Sequence, residues 1–392
     1  MKAVVHLVRR VAARPPGAWS TGLSILVLHG FYLLLAGAVM APDSHTYAHW
    51  SGRLLETGFD FPAVLAEAET TFPPILYLAF GTLLALLRLG LGEGWPIALV
   101  ALNAVAHIIL GLLLVRLAAR VAGAAAGWAA LSLYLLCFGL LQWVPFVLSD
   151  ATFALIAFTI FFLASRRLLA EVRGWLPVIG LAGLGVFYRP TGIVLVPDRL
   201  WAAWLARVRR IPSRTLMVAA AASAVAAAAL LFAWLMQDPS RWPFDALRPA
   251  FRNTAGAYGL GEVVSMRRET YHAPPDLLID YVAISADRFV HFFAIGAADF
   301  SLAHWIVELA FFVPAYGLAG WAVIALWRGR TDFEPGARKV LLAAIGAILS
   351  YALFHAFVQL DFDWRYRAPI LPHLILLASA GAADLLRRRR AR

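Results

Sequence analysis

The chain has 392 residues, of which 62% are hydrophobic, and its formal net charge is +11. Its mean hydropathy of +0.75 excludes an ordinary soluble domain. Most arginines flank apolar runs of bilayer length, where they act as orientation signals rather than as a surface that follows nucleic-acid phosphates. The composition therefore predicts an all-α polytopic membrane protein that forms one domain over residues 1–392, contacts membrane lipids and binds no nucleic acid.

The N-terminal segment and the cysteine content indicate where the chain resides. Arg9, Arg10 and Arg14 precede an apolar run at residues 20–40 that is long enough to span, which favours an uncleaved signal anchor with a cytoplasmic N-terminus. Cys137 is the one cysteine, so an intramolecular disulfide is excluded. The abundance of alanine and arginine indicates a GC-rich bacterial genome and hence a multi-pass protein of the bacterial inner (plasma) membrane.

The arginine clusters determine the predicted topology. If the apolar helix at residues 75–89 lies in the outer interface, every later cluster is cytoplasmic; if it spans, all of them move outside. We therefore expect about ten spans, both termini inside, external loops at residues 41–94 and 237–301, and interfacial helices at residues 75–89 and near residues 287–298. The predicted spans are residues 20–40, 95–115, 121–146, 150–165, 216–236, 302–327, 340–358 and 368–386, together with two short helices within residues 175–206 that meet at Arg189.

The stretch at residues 41–58, A-P-D-S-H-T-Y-A-H-W-S-G-R-L-L-E-T-G, follows the first span directly. In a helix, Asp43 and Tyr47 share one face, and an acid at the rim of an apolar bundle is costly without a partner or a function. Asp43 could instead be a helix cap that satisfies free amides. His45 and His49 also share a face, but no third ligand accompanies them, so a zinc site there is disfavoured.

With this topology, further polar residues reach the same side of the membrane as Asp43. They are Asp150, Arg189, Arg365, Tyr366 and Arg367. Arginine forks suit a phosphate, and a carboxylate beside a cavity can deprotonate a hydroxyl, which are the requirements for moving a sugar off a lipid-linked phosphate. Alternatives stay open: Asp150 as a helix N-cap, and Arg365 and Arg367 as ordinary flanking residues of the last span. Asn103 and His107, four residues apart in one span, are expected to make interhelical hydrogen bonds.

The chain resembles the GT-C-fold glycosyltransferases, the superfamily of the protein O-mannosyltransferases and the lipid A aminoarabinose transferases. The similar motifs, in chain order, are D-S-H-T-Y, T-F-P-P-I-L-Y, V-L-S-D-A-T-F, F-Y-R-P-T-G and R-Y-R-A-P-I-L-P. The resemblance implies a GT-C-like bundle, a polyprenyl-phosphate-linked sugar donor, inversion of the anomeric centre, a catalytic base at Asp43, and a second acid at Asp150. We assign Tyr47 and Asp150 to the acceptor side, and Arg189, Arg365 and Arg367, with Tyr366 between them, to the donor phosphate.

The sequence departs from the family at two motifs. Asp43 is followed by Ser44, whereas protein O-mannosyltransferases carry adjacent acids at this motif. Ile75 to Tyr77 stand where some relatives have a lysine. Because that lysine is missing, we expect the arginines to contact the phosphate. The acceptor is a glycan, lipid or protein, and a divalent metal ion is an optional cofactor. The rival functions are a secondary transporter or lipid flippase, disfavoured by the lack of an internal repeat, and a ligase or acyltransferase that acts on lipid-linked glycans.

Overall fold

The computed structural model describes the chain at residues 14–67, 74–170, 174–208, 278–297, 300–329, 333–358 and 364–391. Within these ranges the chain forms α-helices and short 3-10 turns without a β-strand, so the all-α prediction is confirmed there. The predicted span at residues 216–236 and most of the loop at residues 237–301 lie outside the described residues.

The first half of the described chain contains eight helices of 4 to 28 residues. They are α1 (Ala18–Ala36), α2 (Pro42–Glu56), α3 (Phe61–Ala66), α4 (Leu78–Leu91), α5 (Trp95–Ala122), α6 (Ala124–Leu136), α7 (Phe138–Leu141) and α8 (Asp150–Ala170). Proline in the first turn sets the start of α2 and α5, because it lacks an N–H that the helix would leave unbonded there.

The second half contains the two short helices around Arg189 and the last long helices. They are α9 (Leu176–Leu184), α10 (Leu195–Arg207), α11 (Leu278–Phe292), α12 (Leu302–Trp327), α13 (Pro335–Val358) and α14 (Leu371–Ala391). The predicted break near Arg189 is confirmed, since this residue is extended between the 3-10 turns Gly185–Phe187 and Pro190–Val194. The predicted interfacial helix at residues 287–298 is placed too late, because α11 already ends at Phe292.

Five stretches of the described chain are long and apolar enough to cross a membrane. They are Ala18–Ala36, Ile75–Ala122, Asp150–Ala170, Leu302–Trp327 and Pro335–Ala356. The outward face of α1 carries exposed apolar side chains such as Trp19 and Leu34, as expected of a helix that faces lipid. The chain is therefore a membrane-embedded polytopic protein.

The last helix, α14, packs in the centre of the bundle and is buried along most of its length. It crosses α12 so closely that a Cβ at Gly381 would lie 2.0 Å from the carbonyl oxygen of Leu318. A small residue at such a crossing lets two helix backbones approach, which is the usual way for helices to pack in lipid.

The predicted span at residues 121–146 is not one continuous helix. Its helix α6 ends at Leu136, Cys137 turns the chain, and an irregular segment, residues 142–149, follows the single turn of α7. Pro145 within this segment lacks a donor N–H, and its carbonyl oxygen accepts from the N–H of Val39 at 2.9 Å. The contact with the first connecting segment replaces helical hydrogen bonds that the apolar sequence alone would favour.

Candidate functional site

The irregular segment at residues 142–149 connects the start of α2 to the start of α8. Val39 and Phe146 form an isolated parallel bridge, with the N–H of Val147 donating to the carbonyl of Val39 at 2.9 Å. The Ser44 hydroxyl donates to the carbonyl of Val147 at 2.8 Å and accepts from the N–H of Ala41 at the same distance. Ser44 thus joins the start of α2 to the irregular segment that precedes α8.

A side chain of α5 fixes the same segment from behind. The Asn103 amide donates to the carbonyls of Val144 at 3.2 Å and Phe146 at 3.1 Å. Its neighbour on the helix, His107, makes a 2.9 Å nitrogen–nitrogen hydrogen bond with His29 of α1. The interhelical hydrogen bond predicted for His107 is confirmed, whereas Asn103 bonds to irregular backbone rather than to another helix.

The first acid of the site pairs with an arginine from the far end of the chain. Asp43 lies in the first turn of α2, and its Oδ2 is 2.6 Å from Nη2 of Arg365 on the 3-10 turn Trp364–Arg367. The Asp43 side chain keeps 31% of its surface exposed. The hydrogen-bonded box at the helix start joins Ala41 and Ser44, so the alternative in which Asp43 caps the helix fails.

The second acid pairs with the arginine at the helix break. Oδ1 of Asp150, the first residue of α8, lies 2.5 Å from Nη1 of Arg189, and both side chains are almost fully buried. The same Nη1 donates to the hydroxyl of Ser149 at 3.3 Å. Burial of a charge in this position is tolerated because the opposite charge accompanies it.

The two pairs meet at one aromatic ring. The guanidinium carbon of Arg189 lies 5.9 Å from the ring centre of Tyr366, and that of Arg365 lies 5.3 Å from it. A cation over the face of an aromatic ring is attracted by the ring quadrupole, so Tyr366 holds two cations close together. Two arginines and two carboxylates from four separate segments thus form one cluster with no net charge.

Tyr47 forms part of the wall beneath this cluster. Its ring is buried and contacts those of Tyr77 and Phe80, each with a centroid distance of 5.1 Å. Burial, with a smaller contribution from nearby Tyr77, raises the pKa of Tyr47 well above its ordinary value. The phenol therefore stays protonated at neutral pH, and it is hydrogen bonded to the side chain of Tyr77.

Arg367 does not lie with Arg365. Its guanidinium stacks on Phe312 at 4.5 Å and on Trp364 at 4.3 Å, and it donates to the carbonyl of Ala294. In a 3-10 turn, successive side chains are about 120° apart, so residues two apart cannot face the same side. The structure therefore separates Arg367 from Arg189 and Arg365, with which it was predicted to bind a phosphate, and Arg367 anchors the turn to α12 instead.

The turn that presents Arg189 depends on a glycine. A Cβ at Gly192 would lie 2.1 Å from the carbonyl oxygen of Gly185, so the two 3-10 turns can approach only without a side chain there. We expect Gly192→Ala to lower the free energy of unfolding by about 1–3 kcal/mol and to displace Arg189. Thermal unfolding measures this, with Gly183→Ala on α9 as a control, because nothing lies within 4 Å of a Cβ there. Equal stability of Gly192→Ala and the wild type would contradict the close packing.

Among the described residues, no group of three or more His, Cys, Asp or Glu side chains is arranged to hold a metal ion. The optional divalent ion therefore stays a prediction. Sequence reasoning missed His355, which stacks on Tyr366 with a centroid distance of 4.8 Å; an ionisable residue inside an apolar span was the available signal. Compared with family models, curated proteins and solved structures, the chain matches none.

Proposed function

We propose that the chain is an inverting glycosyltransferase that moves a monosaccharide from a polyprenyl-phosphate donor to a glycan, lipid or protein acceptor. The observation that supports this best is the meeting of two acid–arginine pairs over Tyr366, from segments that resemble the GT-C motifs. The arginines suit an anionic phosphate, and the apolar surface of the bundle suits a polyprenyl tail.

The difference in exposure between the two acids supports a division of roles. Asp43 is partly exposed, so an acceptor hydroxyl can reach it, whereas Asp150 is buried against Arg189. In the proposed reaction the acceptor oxygen attacks the anomeric carbon and loses its proton to Asp43. The bond from that carbon to the phosphate oxygen breaks, and the arginines stabilise the charge that grows on the leaving phosphate.

The proposed topology has about ten spans with both termini in the cytoplasm and the site on the periplasmic face. In this arrangement the start of α2 is external and the turn between α5 and α6 is cytoplasmic. We expect a membrane-impermeant thiol reagent to label His45→Cys in intact cells, and Arg120→Cys only after permeabilisation. Both positions are exposed, and the substitutions are made in a Cys137→Ala background. External labelling at residue 120 would contradict the topology and separate the site from the outer face.

The experiment that tests the function compares lipid-linked sugars and surface glycans, by mass spectrometry, in cells with and without the gene. We expect loss of one sugar from the surface and accumulation of its polyprenyl-phosphate donor. Complementation by the wild type should reverse both changes, and complementation by Asp43→Asn should reverse neither. An unchanged pool of lipid-linked sugars would contradict the proposal.

A secondary transporter or lipid flippase is the second candidate, and a buried pair of charges favours it. Asp198 and Arg199 of α10 lie inside the bundle, 3.9 Å apart, after a helix break of the kind that transporters use. Their distance exceeds that of a good hydrogen bond, so the pair is held less tightly than Asp150 and Arg189. A flippase should move the intact donor across the membrane without breaking its sugar bond, which the same mass spectra distinguish.

A further inference from the structure

His355 of α13 is a buried histidine whose ring nitrogens have no hydrogen-bond partner among the residues that the structure describes. The side chain is 5% exposed, and neither Nδ1 nor Nε2 meets a donor or an acceptor within that part of the chain. A buried polar group without a partner costs free energy comparable to a lost hydrogen bond, so such groups in folded proteins call for an explanation. A bound ligand would supply such a partner.

Aromatic contacts determine which part of His355 can meet that group. The imidazole is nearly parallel to the rings of Phe292 and Tyr366, with interplanar angles of 19° and 15° and centroid distances of 5.3 and 4.8 Å. These two stacks cover the faces of the ring, and Phe354 meets it in a perpendicular contact with a centroid distance of 5.7 Å. Polar contacts are therefore left to the part of the ring edge that faces away from Phe354. The same Tyr366 ring carries Arg189 and Arg365, so this edge lies one ring away from the proposed phosphate site.

A second buried polar group, the hydroxyl of Tyr351, lies next to His355 on α13. Tyr351 lies one helical turn earlier on the same face and is buried, and none of the described residues bonds to its hydroxyl. This face of α13 packs against the 3-10 turn after Arg189 and against α10. Asp198 and Arg199, and more weakly Arg189, act electrostatically on Tyr351, and Arg189 acts on His355. An imidazole edge and a phenol therefore offer adjacent, unused hydrogen-bonding groups behind Tyr366.

The chemistry of these groups limits the occupant. A neutral imidazole has one N–H that needs an acceptor and one nitrogen lone pair that needs a donor. Phosphate oxygens accept only, so a phosphate could satisfy one nitrogen, and a cation would be repelled by the neighbouring arginines. A hydroxyl both donates and accepts, and a group with several hydroxyls could meet both nitrogens and Tyr351 together.

We propose that the edge of His355, with the hydroxyl of Tyr351, is a subsite for the hydroxyl groups of the sugar that the donor carries. This inference rests on the proposed function and adds the residues that recognise the sugar as distinct from its phosphate. The subsite makes His355 a specificity residue, while Arg189 and Arg365 hold the phosphate.

The test separates the sugar from the phosphate by using two lipids. Binding of a short-chain polyprenyl phosphate, and of the same lipid carrying one of a panel of hexoses and pentoses, is measured on the full chain in lipid nanodiscs without acceptor. The wild type should bind one glycosylated lipid more tightly than the bare phosphate. In His355→Phe, which keeps the ring stack and removes both nitrogens, affinity for that glycosylated lipid should fall about tenfold. Affinity for the bare lipid should stay within about twofold.

Two further variants control for effects that do not come from the His355 nitrogens. His291→Phe changes a histidine whose Nδ1 bonds to the carbonyl of Asp287 in its own helix, and it should alter neither affinity. If His355→Phe fails to fold, Tyr351→Phe tests the subsite instead. This variant removes only the hydroxyl oxygen, so binding of the glycosylated lipid should weaken several-fold, as expected for the loss of about one hydrogen bond. Retention of the sugar preference in the folded variant would mean that water alone meets the His355 edge, which overturns the subsite. Binding of neither lipid by the wild type would overturn the proposed function as well.

Discussion

Asp43→Asn is expected to slow sugar transfer by roughly 10²–10⁴-fold, the range typical of a lost general base. The amide matches the carboxylate in size, so it can still contact Arg365, but it cannot take the acceptor proton. The fold should survive, because the hydrogen bonds at the start of α2 belong to Ala41 and Ser44. The partly exposed ion pair with Arg365 should contribute less than about 1 kcal/mol to stability.

The measurement combines transfer rate and thermal unfolding on the purified variants. Glu56→Gln is the matched control, since it also changes an acid of α2 that pairs with an arginine, Arg53, but on an exposed surface. We expect the control to transfer sugar at the wild-type rate. If Asp43→Asn also does so, Asp43 is not the base, and Asp150 would be the next acid to test.

Local signals in the sequence were sufficient for several parts of this site. Arg189 followed by Pro190 inside an apolar stretch predicted the helix break, because proline removes a helical hydrogen bond and an isolated cation is costly in lipid. The arginine clusters alone predict that the turn before α14 and the start of α2 lie on the same side of the membrane. Asp43 and Arg365 are therefore expected at the same membrane rim, but nothing in the sequence predicts that they pair.

Contacts between distant segments account for what the sequence did not predict. The bridge between Val39 and Phe146 keeps residues 142–149 irregular, although their apolar character favours a span. Adjacency in sequence suggested that Arg365 and Arg367 act together, whereas the geometry of a 3-10 turn sends them to different sides. His355 was overlooked because a single histidine barely alters the hydropathy of a span, and its unmet nitrogens are visible only in three dimensions.

Because Arg189 and Asp150 form a buried ion pair, a single substitution at Arg189 changes both the stability of the fold and the proposed phosphate contact. Arg189→Gln should lower the free energy of unfolding by about 3–5 kcal/mol, because it leaves the buried Asp150 carboxylate without a counter-charge. Loss of transfer in this variant would then report the damaged fold as much as a lost phosphate ligand. Arg189→Lys keeps the charge but loses the planar fork, so donor use should weaken with a smaller loss of stability.

The double variant Arg189→Gln with Asp150→Asn separates the two roles. It removes both buried charges at once, and two amides can hydrogen bond to each other, so much of the lost stability should return. If Arg189 binds the donor phosphate, affinity for a polyprenyl phosphate should stay weak in the double variant, by roughly 2–5 kcal/mol relative to the wild type. Thermal unfolding and lipid binding on the single, lysine and double variants provide the comparison, with Arg53→Gln as a control at an exposed pair. Recovery of both stability and affinity in the double variant would assign Arg189 to structure alone and leave Arg365 as the phosphate ligand.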